Sequence, residues 1–179
     1  MKLLRTVRLD ASDSFVFEKA AEPGEWAVSG AFVFARCDPA SLQGKARAAF
    51  RAGFLGLSSF GRSTLTQIVE ADERDRRDVV DRLAAHLVAH FGAPDLATAR
   101  EAAEEETSFA ASLCDHAPGV LVAVTRSHDD GTIRELFRTL RPREGAGHAS
   151  AFEFLEVVGD EDVPGEHLDL ASLGKGVGR

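Results

Sequence analysis

The sequence predicts an α+β fold, a two-layer domain in which a largely antiparallel sheet packs against a helical hairpin and one further helix. Three observations carry this. Phenylalanine occurs 12 times, and six of those rings fall in i, i+2 pairs: Phe15/Phe17, Phe32/Phe34 and Phe152/Phe154. Residues two apart share a face of a strand, so each pair reads as a strand laying two rings on one side. Two long stretches with helical periodicity stand on either side of Gly92-Ala93-Pro94, a connection short enough to make them antiparallel neighbours. The segment Glu22-Pro23-Gly24-Glu25 is a turn between apolar runs, which suggests adjacent antiparallel strands.

Strands are expected at residues 3–9, 14–18, 26–35, 63–69, 120–126 and 151–158, each β-branched or aromatic and bounded by turn residues. The first helix follows Asp38-Pro39, an N-cap with proline at the first helical position, and ends near Gly53. Its apolar residues Leu42, Ala46, Ala49 and Phe50 have helical spacing. The second helix runs from about Asp72 to Phe91 with Val79, Val80, Leu83, Leu87 and Phe91 on one stripe. The third runs from about Asp95 to Cys114 with Leu96, Ala99, Ala103, Ala110 and Leu113 inward, and its glutamates form a solvated face paired with Arg82 and Arg100. Residues 132–141 carry two signals. Asp130-Gly131 marks a hairpin, whereas Ile133, Leu136, Phe137 and Leu140 after Thr132-Ile133-Arg134-Glu135 fit a helix with a capping box. The pattern count favours the helix.

These elements make one globular domain over residues 1–158 and an extended tail over 159–179, in which Leu168, Leu170 and Leu173 are available to dock on the body or on a partner. A net charge of −8 argues against nucleic-acid binding, because a phosphate backbone is repelled by the overall field. No stretch has the length and apolarity of a membrane span, and Arg8 and Asp10 interrupt any signal sequence. The two cysteines, Cys37 and Cys114, suit a reducing, cytoplasmic compartment as small core residues.

Motifs for catalysis are few. Gly61-Arg62-Ser63-Thr64-Leu65 lacks the second glycine of a nucleophile elbow. Gly174-Lys175-Gly176 lacks the rest of a phosphate loop. His86 and His90 at i, i+4 with Glu101 on the next helix give three weak metal-ligand candidates with no fourth, so neither a metal nor another cofactor is expected. One constellation stands out. Between Gly30 and Leu65, Arg36, Lys45, Arg47, Arg51 and Arg62 face only Asp38, in an otherwise acidic chain. The glycines and hydroxyls of residues 53–64 follow. Glycines let main-chain amides approach a ligand, and guanidiniums grip oxyanions in bidentate fashion. Arg36, Arg47, Arg51, Arg62 and Ser63 are therefore anion-binding candidates. The plainer alternative is a helix C-cap and a turn with solvated arginines.

The opening Leu3-Leu4-Arg5-Thr6-Val7-Arg8-Leu9-Asp10, the Glu22-to-Trp26 turn and the Gly53-to-Thr64 loop resemble an uncharacterised family of short bacterial proteins known only as a domain of unknown function. The resemblance reaches to about Val158 and implies no activity and no site residues. The sequence-based expectation is a non-catalytic accessory or assembly protein that binds another protein or a second copy of itself. The alternative is an enzyme or ligand-binding domain holding an anionic small molecule at residues 36–64.

Overall fold

The structure is a computed structural model that describes residues 1–142 and 155–164, with side chains for 1–141. The fold is α+β, and among the described residues every pairing between two strands is antiparallel, with one isolated parallel bridge between Ala20 and Arg62. Among the described residues the strands are β1 (Lys2–Val7), β2 (Trp26–Val28), β3 (Phe54–Gly56), β4 (Arg62–Ser63), β5 (Leu65–Glu70), β6 (Leu121–Asp129), β7 (Thr132–Pro142) and β8 (Leu155–Pro164). They form one sheet in the order β4-β3-β2-β1-β5-β6-β7-β8, seven strands of three residues or more plus the two-residue β4. The helices are α1 (Ser12–Val16), α2 (Gly44–Ala52), α3 (Glu73–His90) and α4 (Leu96–Ser112), with 3₁₀ turns at Ala31–Phe34 and Pro39–Ser41.

The sheet is curled into a half-barrel, and its hydrogen bonds show why. Four strand steps separate β2 from β7, about 19 Å across a flat sheet. Yet Ser29, the residue after β2, donates its hydroxyl to Glu135 of β7. Gly53, just before β3, accepts from Arg126 of β6 at 2.9 Å, again across four steps. Such bonds form only if the sheet closes on itself. The α3–α4 hairpin packs into the concave side, where Phe109 of α4 meets Phe137 of β7 with ring centroids 5.7 Å apart. Val79, Leu83, Leu87, Ala99, Ala103 and Ala110 of the hairpin join Leu4, Ile68, Val122 and Val124 of the sheet in one core.

The hairpin forms as its sequence predicts. Asp72 accepts from the main-chain N–H of Arg74 and Asp75, at 2.7 and 2.9 Å, while Asp75 accepts from that of Asp72, a reciprocal capping box. Asp95 caps α4 by accepting from Thr98 N at 2.8 Å. Arg76–Glu104 at 2.5 Å and Arg100–Asp81 link the two helices. Arg82 pairs with Asp78 of its own helix rather than with a glutamate of α4.

Three expectations fail. Residues 14–18 are no strand: α1 is a single turn, and it leaves Phe17 fully buried while Phe15 is 76% exposed. Asp13 anchors that turn by accepting from the Thr64 hydroxyl at 2.5 Å. The strand at 26–35 ends at Val28. Gly30 then turns the chain at φ +73°, and Ala31–Phe34 coil as a 3₁₀ turn. At three residues per turn, i and i+2 point apart, so Phe32 joins the main core while Phe34 packs on Phe50 in a second cluster. Residues 132–141 are strand, not helix. Asp130 and Gly131 take φ of +47° and +80°, as a two-residue hairpin turn requires, and β6 pairs with β7 over the whole length from Asp129↔Thr132 to Leu121↔Leu140. The helical stripe was a coincidence of Leu136 and Leu140, which lie on the opposite face from Ile133 and Phe137.

Two smaller corrections follow. Cys37 is exposed rather than in the core, and only Cys114 is buried. β8 runs to Pro164, past the end of the strand expected at 151–158. Phe152, Phe154 and the leucines at 168, 170 and 173 lie outside the described residues.

Candidate functional site

The alternating face of β6 that buries Val122 and Val124 continues with Arg126. That of β7 buries Ile133, Glu135 and Phe137. The inner stripe of α4 buries Ala99, Ala103 and Ala110 and includes Glu106. Three charged side chains thus occupy positions where the periodicity calls for apolar ones, and they meet inside the curl. Arg126 donates from Nε to Glu135 Oε1 at 2.6 Å and from Nη1 to the carbonyls of Phe50 and Gly53 at 3.0 and 2.9 Å. Its Nη2 donates to the carbonyl and hydroxyl of Ser29 at 2.5 and 3.0 Å. All five N–H donors of the guanidinium are engaged. Glu106 accepts from Gly30 N at 3.0 Å. Arg62 donates to the carbonyls of Gly30 and Gly53 at 3.4 and 3.2 Å and lies over the Phe34 ring.

Burial sets the protonation of this cluster. Loss of solvation raises the Glu106 carboxyl to about 7, with the Gly30 N–H opposing the rise and the Glu135 charge adding to it. Burial, and then the charge of Arg126, lowers the Arg62 guanidinium to about 9, so it stays protonated at neutral pH. Arg126 has a further effect. Phe50 and Gly53 end α2, and their carbonyls carry the negative end of the helix dipole. The buried guanidinium satisfies those carbonyls by hydrogen bonds and ties α2 to β6.

A cleft of about 440 Å³ opens where α2 and β6 are tied. Arg47, Phe50 and Arg51 of α2 form one wall, and Pro39 and Ala40 extend it. Arg126, Ser127 and His128 of β6 form the other. Alternation puts His128 on the same face as Arg126. Among the described residues no carboxylate lines the cleft. Asp38 is turned onto Ala40 N at 3.0 Å, and Asp129 lies 4.0 Å from Arg134.

The structure therefore brings Arg47 and Arg51 together on one wall of a concave site. Arg36 is exposed and outside it. Arg62 is buried in the network, and Ser63 spends its hydroxyl on the carbonyls of Val7 and Leu65 at 3.2 and 2.8 Å. Of the metal candidates, His86 and His90 lie side by side, their rings stacked with centroids 5.8 Å apart. His86 bonds Leu57 O at 3.0 Å through Nε2 and stacks on Phe60 at 4.2 Å, while His90 and Glu101 are exposed. Among the described residues no three His, Cys, Asp or Glu side chains are grouped as a metal site. Cys114 is pushed up to about 12 by burial and is held as a thiol against Ala110 O.

Residues 1–154 match the model of a family of unknown function, DUF6505. The chain belongs to that family. Neither a curated protein nor a solved structure matches it. The matched span holds every residue of the cleft and of the buried network. Among the described residues no helix is long and apolar enough to cross a membrane.

Sequence reasoning missed Arg126, Glu135, Glu106 and His128. The signal was present in the first three: a charge on an apolar period is costly unless paired. Glu106 was read as part of a solvated face, but it falls on the same stripe as Ala99, Ala103 and Ala110 and is 1% exposed.

Proposed function

We propose that this member of the family is a binding protein that holds an anionic small molecule in the cleft between α2 and β6. One observation carries the reading. Arg47, Arg51 and His128 line a concavity of about 440 Å³, and among the described residues none of the three side chains has a hydrogen-bond or ion-pair partner. That volume lies in the range of small-molecule sites. Two like charges one helical turn apart oppose helix formation when nothing offsets them. Arg51, in the last turn of α2, gains from the negative end of the helix dipole, but Arg47 has no such return, and both line the same concavity, which points to a ligand. The test is thermal shift with small carboxylates and phosphates at low ionic strength. A midpoint that rises with ligand in the parent protein, and does not in Arg47→Ala/Arg51→Ala, supports the site. Equal shifts in both proteins would place any binding elsewhere.

A second reading keeps the chain as a cytoplasmic accessory protein for another protein or for a second copy of itself. Leu9, Phe15 and Val16, close together in the chain, are 46, 76 and 40% exposed. Apolar side chains in that state favour a protein contact. Native mass spectrometry of the untagged protein separates the two readings. A stoichiometric protein subunit that Phe15→Asp releases supports docking, and a bound small anion supports the cleft.

A further inference from the structure

We propose that the cleft takes a phosphate monoester of a small organic molecule, an inference that rests on the anion-binding reading above and gives it a chemical class. Charge comes first. Arg126 is balanced by Glu135 at 2.6 Å, so it adds little net field to the cleft. Arg47 and Arg51 remain, two full charges with no acid in the lining among the described residues. A phosphate monoester carries nearly two negative charges at neutral pH, whereas a carboxylate carries one.

Geometry agrees with charge. A carboxylate is flat, and one guanidinium fork satisfies both its oxygens. A second fork beside it finds only the two remaining lone pairs, which lie in the same plane, so both guanidiniums would have to lie in that plane. Residues at i and i+4 of a helix have Cβ atoms about 6 Å apart, so the forks of Arg47 and Arg51 can converge on one tetrahedral group. Its three terminal oxygens offer enough acceptors for both, with the His128 imidazole across the cleft on β6. The end of α2 would oppose an anion there, since a helix C-terminus is negative. Arg126 lessens that obstacle by hydrogen-bonding the carbonyls of Phe50 and Gly53, which then do not face the ligand unsatisfied. Pro39, Ala40 and the edge of Phe50 make the remaining wall apolar. That wall suits the organic body of an ester and gives inorganic phosphate nothing to contact.

Isothermal titration calorimetry at low ionic strength with phenyl phosphate, inorganic phosphate and benzoate tests the proposal. Phenyl phosphate is expected to bind about tenfold or more tighter than the other two. Arg47→Ala and Arg51→Ala should each weaken it by about tenfold or more, as loss of a charged hydrogen-bond donor does. Lysine at either position should restore part of the affinity. Arg74→Ala, which removes the same charge from an exposed position on α3, should leave it unchanged, and circular dichroism checks that each variant is folded. Benzoate binding as tightly as phenyl phosphate would overturn the phosphate class and leave the anion site standing. Inorganic phosphate binding as tightly would overturn the organic body. An equal loss in Arg74→Ala would reduce the effect to net charge and overturn the site. Binding of none of the three would remove both this proposal and the reading beneath it.

Discussion

Glu106 is a carboxyl held where the core stripe of α4 demands an apolar residue, and its protonation ties folding to pH. Its ordinary value is 4.5 and its folded value about 7. Between those limits the folded chain keeps the proton and the unfolded chain releases it, so stability falls as pH rises through that window. Above the window the full penalty of a buried charge applies. Glu106→Gln keeps the size and the oxygen that accepts from Gly30 N, and it removes the titration. The variant is expected to be more stable than the parent at about pH 8, by about 1–3 kcal/mol, with the gap narrowing as pH falls toward 4.5. Urea unfolding over that pH range measures it. A constant gap would show that the Glu106 proton is not the cause.

At the scale of elements, the β6–β7 hairpin decides the site. Arg126 and Glu135 are direct cross-strand partners, and so are Val124 and Phe137. A shift of one residue would turn the two on the moving strand to the other face and break both pairs. The register depends on the Asp130-Gly131 turn, where Gly131 sits at φ +80° with no atom within 4 Å of an added Cβ. Gly131→Ala therefore tests backbone conformation alone, free of steric clash. It should cost about 1 kcal/mol, the usual penalty for a side chain in the left-handed region, read from the shift in the urea midpoint. No change would mean that the turn does not set the register. Helix α2 is the second decisive element. Nine residues long, it is too short to be stable alone. It is held at its C-terminus by a guanidinium from a strand 73 residues further along the chain.

For the whole molecule, Arg126 joins the end of β2, the end of α2, β6 and β7 through one side chain. Removing one partner of a buried ion pair leaves the other uncompensated. Arg126→Met is accordingly expected to cost about 3–5 kcal/mol in urea unfolding. Arg126→Met/Glu135→Met should be less destabilised than the two single variants summed, because neither charge is then left alone. Hydrogen exchange should rise at the amides of α2 in Arg126→Met, since the helix loses its anchor. If exchange rises evenly over the chain, Arg126 supports global stability but does not hold α2 in place.

The sequence by itself determined the elements whose signals are local. The capped helices α3 and α4, the tight turn between them, and the strands β1, β5 and β6 rest on periodicity and caps that act within a few residues. It also determined that Arg47 and Arg51 share a helix face, since i, i+4 spacing allows nothing else. Only the tertiary structure decided the rest. Phe15/Phe17 and Phe32/Phe34 carry the strand pattern, but Asp13 bonded to Thr64 and Gly30 packed against Leu55 turn both segments into coils. Residues 132–141 satisfy a helical stripe, but pairing with β6 on one side and β8 on the other fixes them as strand. Arg62 reads as a ligand-binding residue and becomes buried, while Arg126 and His128 come to the cleft from a strand distant in sequence. The physical reason is common to all of these. Helix caps and turns are satisfied by neighbours in the chain, whereas the partners of a strand edge or a buried charge are supplied by whichever segments the curl of the sheet brings within hydrogen-bond reach.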